Sequence, residues 1–338
     1  MTGALKVICA GPSLTVQDFG RTGYLDCGLS AGGAADKLAL IEGAVLLGQS
    51  LEHAALEMAG FGGTFEATAD IRIALTGAPM TVRLDEAPLL WNASHFISAG
   101  QRLSVGRASR GVYGYLSVSG GLATEPFLGS RSTHLAGGIG RRLEIGDLLP
   151  VGLDEHADIG PRALPVEERF SGGLIRMVPS AQTQLFTQSQ LRRFAKTKFW
   201  RGARGNRQGV QLEFEGAPFA SGDQLLLLSE VMVVGDVQMT GDGAPFVLLP
   251  ECQTTGGYPR IGTVVPQDLP KIAQAATSSM LRFDFVSRDL AEKSFVDPVR
   301  TAQALQLKVA PQVRNPHDIN DLLSYQLISG ATTGKDDL

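Results

Sequence analysis

Residues Ile71–Thr76 read IRIALT and are closed by Gly77, a run of strand length rich in aliphatic side chains with a turn former at its end. The same texture returns at Gly114–Val118 (GYLSV), Gln224–Leu228 (QLLLL) and Pro245–Leu249 (PFVLL), each bounded by Gly, Pro or charged residues. Glycine supplies the punctuation, with 41 of 338 residues scattered singly or in pairs between such runs. Helical signals are few. Asp36 is a good N-cap for Lys37–Leu47, where Leu38, Ile41 and Val45 share one face and Gly48 can end the helix in the left-handed region. A second helix is expected over Gln184–Lys196, with Leu191, Phe194 and Ala195 at helical spacing, and a short third from Asp268 through Lys271 to Ala275. The chain is therefore expected to be mainly β, with a few short helices.

Outward from these strands, Val151–Gly173 (VGLDEHADIGPRALPVEERFSGG) breaks the rhythm by concentrating charge, proline and paired glycine, the composition of an interdomain connection. This places an N-terminal domain at 1–165, a C-terminal domain at 166–290 and a polar extension at 291–338. Within the extension Lys308–Val313 is the last strand-like piece, and 330–338 reads as a mobile tail. Met80–Leu89 (MTVRLDEAPL) and Val237–Phe246 (VQMTGDGAPF) look alike and hint at two related barrels, which would dispose of exposed strand edges.

A chain with 43% hydrophobic and 19% charged residues, and no window apolar enough to cross a bilayer, reads as globular and soluble, without membrane association. MTGALKVICAGPSLTV lacks the charged start and long apolar stretch of a secretory signal. Cys9, Cys27 and Cys252 cannot all pair and lack CxxC spacing, which fits a reducing cytoplasm. A net charge of −4 offers no cationic field for nucleic acid. The five histidines are scattered without metal-ligand spacing, so no metal site is expected.

Chemistry is expected where polar and glycine residues exceed what strand packing needs. In GPSLTVQDFGRTG, Asp18 and Arg21 flank Gly20, close enough for the carboxylate to orient the guanidinium toward an anion, or simply to close a turn. LGSRST offers Ser130, Arg131 and Thr133 to a phosphate or carboxylate, the alternative being a β-turn with solvated hydroxyls. GGIGRR lacks the βαβ context of a dinucleotide site and the Gly-Lys-Ser/Thr of a phosphate-binding loop. QTTGGYP is the most pointed: Gln253 has an amide donor and acceptor, Thr254 a hydroxyl, and Gly256 and Gly257 allow close backbone approach beside Tyr258. Such a loop suits an amide or urea-like ligand, unless Gly256-Gly257 is only the corner of a type I′ or II′ hairpin. His134 beside LGSRST is the one histidine considered as acid or base, although a polar edge position is the simpler reading. Cys27 and Cys252 read as packed thiols, and Glu57 as a buried carboxylate or a strand-end charge.

Taken in order, GPSLTVQDFGRTGY, GLSAGGAADKLAL, LTGAPM, GYLSVSGG, LGSRSTH, GGIGRRLEIGD and SEVMVVGDVQ…GAPFVLLPECQTTGGYPRIGTVVPQDLPKIAQ resemble the allophanate hydrolase subunit 2 family, from about residue 7 to residue 290. That family includes the KipA proteins, the C subunit of 5-oxoprolinase (PxpC) and part of the carboxyltransferase region of urea carboxylase. The resemblance implies two cyclophilin-like β-barrels and a smaller partner of the KipI/PxpB type (allophanate hydrolase subunit 1), with an active site between subunits. A third, PxpA-type subunit and ATP with Mg, shared with the partner, would complete an enzyme opening 5-oxoproline to L-glutamate. On that basis Arg21 and Arg131 are assigned to anionic groups, Asp18 to orienting Arg21, and Gln253 with Thr254 to the lactam or its carboxylate. Two other functions are compatible with the resemblance. One is the carboxyltransferase component of a biotin-dependent urea or amide carboxylase, with biotin on a separate carrier because this chain has no Met-Lys-Met segment. The other is a KipA-like regulatory protein that antagonises a KipI-type kinase inhibitor. The sequence departs from the family pattern at Ala35 (usually Met), Glu42 and Gln49 (usually Asn), Gln211 (usually Arg) and Glu251 (usually Asp). The lost cation at Gln211 and the altered carboxylate reach at Glu251 are expected to retune or impair the site.

Overall fold

The computed structural model describes residues 3–219 and 227–312. The protein is mainly β. In the C-terminal half, strands Gly173–Val178, Arg260–Val264, Asp236–Met239, Pro245–Leu248, Gly209–Phe214, Phe199–Gly205 and Met280–Phe285 neighbour one another in that order and close into a barrel. Closure comes from the parallel pairing of Gly173–Val178 with Met280–Phe285, which leaves no free edge. The barrel is filled by alternate inward side chains such as Ile175, Val210, Leu212, Val237 and Ile261. A cluster of Phe194, Phe199, Phe219 and Phe283 seals it, with Phe194 and Phe199 ring centroids 4.8 Å apart.

The N-terminal half is built from a 6-stranded and a 7-stranded sheet. Leu5, Val7, Phe65, Leu103 and Val105 from the first interlock with Leu14, Leu56, Ile73, Leu75 and Leu116 from the second as one continuous core. Ile71–Gly77, Tyr113–Val118 and Pro245–Leu248 are strands, as their composition predicts. Gln224–Leu228 falls largely, and the 330–338 tail wholly, outside the described residues. The two look-alike segments are both hairpins: Met80–Leu84 pairs with Ala87–Pro88, and Asp236–Met239 with Pro245–Leu248.

Helix Lys37–Leu47 has the expected limits. Asp36 Oδ1 accepts from the Ala39 N–H at 3.3 Å, and Gly48 takes φ 71°, where a side chain would be strained. Ala39–Leu47 is buried all round, because the helix lies between strand Ile71–Gly77 and helix Pro298–Gln306. The expected 184–196 helix is broken into the short 3₁₀ turn Thr183–Leu185 and helix Gln188–Lys196. Thr187 starts the latter with a capping box that reciprocates Gln190. The third helix spans Leu269–Gln274.

The charged 151–173 segment is ordered and docked. Arg162–Ala163 adds to the 7-stranded sheet and receives Ala310–Pro311, while Phe170 and the Arg169 guanidinium are buried. The extension beyond the barrel thus returns to the N-terminal half, where Leu305 and Ala302 pack against Ile41, Val45 and Leu46.

Candidate active site

Strand Leu14–Gln17 is wholly buried and delivers Asp18 to a turn at Gly20, φ 90°, where a Cβ would lie 2.6 Å from the Ala31 carbonyl oxygen. The Asp18 carboxylate accepts from the Ser130 hydroxyl at 2.6 Å, the Ser132 hydroxyl, the Gly20 N–H at 2.8 Å and the Arg131 N–H at 2.6 Å. Burial pushes its pKa up, and these four donors more than offset that, so it lies below the usual carboxylate value. Arg21 is 2% exposed and donates to the Phe127 and Ser132 carbonyls. The expected Asp18–Arg21 pair is therefore corrected. Gly20 turns the two side chains apart, and each braces the same 127–132 loop by a different route. Arg21 Nη1 has no partner among the described residues.

Of the candidate residues Ser130, Arg131 and Thr133, Arg131 alone reaches a cavity. Its Nε donates to the Thr124 carbonyl at 2.8 Å, and it lines a cavity of about 480 Å³ with Phe19, Gly129, Leu51 and Pro298. Ser130 is committed to Asp18 and to the Ser132 N–H. Thr133 is buried, its N–H given to Val16 and its carbonyl to Gln17.

His134 is no edge residue: it is buried, with Nε2 2.8 Å from the Ser30 hydroxyl, while Nδ1 accepts from the Gly137 N–H at 2.9 Å. An accepting Nδ1 puts the ring proton on Nε2, so the ring donates to Ser30 and cannot take its proton. Burial, with Arg21 and Arg207 nearby, lowers the His134 pKa against the pull of Glu251. The neutral ring thus contributes stability above the ordinary histidine pKa, and this is lost as pH falls through the lower folded value. Nitrogen-detected NMR should show the Nε2–H tautomer and a titration below pH 6.5. An Nδ1–H tautomer, or a higher titration, would refute this arrangement.

The two halves are joined by a buried ionic network centred on Arg207. Its guanidinium donates to Glu57, to Glu251 at 2.5 Å and to the Gly33 carbonyl at 2.5 Å. Glu57 accepts in turn from Tyr115 OH at 2.6 Å and the Ala35 N–H at 2.8 Å. Asp36 takes Arg169 at 2.7 Å and Gln274 at 2.8 Å, and Arg169 grips Glu42 with two nitrogens at 3.0 and 2.7 Å. Three departures from the family pattern acquire roles here: Glu251 reaches Arg207 and the Ala136 N–H, Glu42 holds Arg169, and Gln49 bonds the Val118 carbonyl and the Gly120 N–H. Beside the network a cavity of about 510 Å³ opens at the seam, lined by Tyr113, Arg142, Arg201, Arg207 and Glu251. Its charge is predominantly positive, suiting an anionic ligand.

Gln253 belongs elsewhere. Its amide lies 3.3 Å from Gln238 Oε1, away from Asp18 and Arg131, on a cavity of about 230 Å³ that adjoins the seam cavity at Gly205, Asn206 and Gln208. Thr254 is buried, Tyr258 is exposed, and Thr255–Gly256 pairs with Glu230–Val231. Gly256 and Gly257 do not take positive φ, so the type I′ or II′ corner does not form. The structure thus gathers Asp18, Ser130 and Arg131, with Arg21 behind them, and leaves the Gln253 loop apart. Of the thiols, Cys252 is packed, its pKa raised to about 12 by burial, whereas Cys27 is exposed, against the expectation for it. Sequence reasoning missed Arg207, Arg169 and Gln274; the one available signal was Glu57 inside the apolar strand Ala55–Ala59.

In the two glycine loops the N–H groups of Ser130, Arg131, Ser132, Gly137, Gly138 and Ile139 are bonded within the protein. Among the described residues no group of three or more His, Cys, Asp or Glu could hold a metal, and no helix is long and apolar enough to cross a membrane.

Residues 27–285 match the family of the carboxyltransferase domain, subdomain A and B. The C subunit of 5-oxoprolinase from Haemophilus influenzae is 35% identical over 82% of this chain and 90% of its own length. Its Escherichia coli counterpart is 34% identical over 89% and 97%. The Kluyveromyces lactis urea carboxylase has the same fold, with TM-score 0.79 and 24% identity, over 93% of this chain and 31% of that one. On these matches, spread across both halves, the chain belongs to the carboxyltransferase domain family, subdomains A and B.

Proposed function

We propose that this protein is the C subunit of an ATP-dependent 5-oxoprolinase, a cytoplasmic complex that opens the lactam 5-oxoproline to L-glutamate. The observation carrying this reading is the near full-length similarity to two 5-oxoprolinase C subunits. The geometry supports it through the seam cavity, whose Arg142, Arg201 and Arg207 suit an anionic substrate, beside a second cavity where Arg131 stands with Asp18 and Glu52. The reading has ATP and Mg shared with a KipI/PxpB-type partner, with a PxpA-type third subunit. ATP would activate the lactam oxygen. This chain would hold anionic groups at Arg131, keep the Arg131 loop in place through Asp18, and shield the reacting atoms from bulk water. The family description also leaves room for biotin-dependent carboxyl transfer from a separate carrier.

In the assembled complex Arg131→Ala should cut 5-oxoproline-dependent ADP release about 100-fold while leaving the thermal midpoint within a few degrees, since the backbone N–H that Asp18 binds is kept. Unchanged turnover in a folded Arg131→Ala complex would remove Arg131 from the site.

A further inference from the structure

Arg201 is the buried cation of the seam cavity that lacks a counter-ion. Its neighbour Arg207 is neutralised by Glu57 and Glu251, whereas Arg201, only 9% exposed, makes no ion pair among the described residues. The Arg201 Nη1 is fixed by the Gly202 carbonyl at 3.2 Å and the Thr277 hydroxyl at 3.0 Å. Its Nε is buried without a hydrogen-bond partner, and Nη2 also bonds nothing among the described residues. Nε and Nη2 form the guanidinium edge that takes a carboxylate side-on through two parallel N–H···O bonds. The barrel sets the place of that edge. Strand Phe199–Gly205 breaks register between Arg201 and Gly205, and Nη2 sits against Gly205, where a Cβ would come within 2.7 Å of it. Both residues line the cavity of about 510 Å³, a size within the range of small-molecule sites. Burial pushes the Arg201 pKa down, and no carboxylate holds it up. Two further groups on this cavity are uncommitted. The buried Tyr113 hydroxyl makes no hydrogen bond among the described residues, and burial pushes its pKa to about 12, so at neutral pH it is a proton donor. Arg142 is exposed and unpaired among the described residues, while the adjacent Arg141 is paired with Asp147.

We infer that the seam cavity is a site for a small dicarboxylate, with one carboxylate side-on in the Nε–Nη2 fork of Arg201 and the second drawn to Arg142. The Tyr113 hydroxyl is a further donor in the same chamber. The anion supplies the counter-charge that Arg201 lacks, and a neutral amide of the same shape would leave the guanidinium unpaired. Arg142 belongs to the N-terminal half and Arg201 to the barrel, so the ligand ties the halves together across the seam. This assignment goes beyond the 5-oxoprolinase reading: it concerns what the cavity binds, whichever reaction the assembled complex performs.

The test titrates the full chain by calorimetry with glutarate, pentanoate and glutaramide, a dicarboxylate, a monocarboxylate and a neutral diamide of the same length. Glutarate should bind most tightly, pentanoate about tenfold more weakly and glutaramide not detectably. Arg201→Leu should weaken glutarate about tenfold or more, and Arg201→Lys, which keeps the charge without the fork, should recover only part of that loss. Gly205→Ala removes no charge but pushes on Nη2, so it too should weaken glutarate. Arg142→Gln should bring glutarate down to the affinity of pentanoate and leave pentanoate unchanged. As a second readout, glutarate should raise the thermal midpoint of wild type and not that of Arg201→Leu. Should Arg201→Leu fail to fold, Arg201→Lys and Gly205→Ala decide in its place. Wild type that does not bind glutarate, glutarate affinity indifferent to the folded Arg201 and Gly205 variants, or inorganic phosphate binding as tightly as glutarate overturns the inference. Any of these beside normal 5-oxoproline turnover by the complex leaves the 5-oxoprolinase reading standing. Glutarate binding that follows Arg201, in a chain whose complex ignores 5-oxoproline, sinks that reading and keeps the site.

Discussion

Arg207→Met is expected to destabilise the protein by about 3–5 kcal/mol, because it strands Glu57 and Glu251 in the seam without their shared cation. Both carboxylates are 2% exposed and cannot turn to water. Each would keep some donors, Tyr115 and the Ala35 N–H for Glu57 and the Ala136 N–H for Glu251, which is why the loss is not larger. In thermal unfolding this should lower the midpoint by on the order of 10 °C. Adding Glu57→Gln and Glu251→Gln should recover much of it, since neutral amides need no counter-charge. A single variant as stable as wild type would mean that the network does not hold the halves together.

Asp18→Ala should do less to stability and more to function. It removes the one acceptor shared by Ser130, Ser132, Gly20 and Arg131, so donors from sequence positions 112 to 114 residues away lose their anchor. Activity of the complex should fall about 100-fold or more, as expected when a positioned group drifts by an ångström. Asp18→Asn should be intermediate, since an amide oxygen still accepts. The pH dependence has a definite sign. The folded pKa is depressed, so the carboxylate's contribution is complete above its ordinary unfolded value and is lost as pH falls through the lower folded one. The stability gap between wild type and Asp18→Asn should therefore be flat near neutrality and shrink below about pH 4. A gap that grows on acidification would contradict the hydrogen-bond arrangement.

Local physics made part of this legible from the sequence. IRIALT had to be a strand, and an N-capping Asp36 with Gly48 at the far end bounded a helix to the residue, because both signals act within a few positions. The loop containing Ser130 and Arg131 was visible as a polar excess over strand packing. Its anchor was visible only as a residue type: Asp18 was matched to its neighbour Arg21, whereas its bonds go to the 130–132 loop. The same limit hid the seam. Arg207 and Glu57 are 150 positions apart, and nothing in either local context points to the other. Glu57 alone carried a trace, a carboxylate inside an apolar strand. Gln211, read as a lost cation, mattered less than Arg207 four residues earlier, because register in strand Gly209–Phe214 leaves Gln211 half-buried while the preceding turn sends Arg207 into the seam.

The most direct test of the proposed function is to mix this protein with its KipI/PxpB-type and PxpA-type partners, supply ATP, Mg and 5-oxoproline, and quantify ADP and glutamate together. The proposal predicts equimolar ADP and glutamate that require every subunit and 5-oxoproline. A folded, assembled complex that forms no glutamate, yet moves a carboxyl group to or from a biotin carrier, would contradict it.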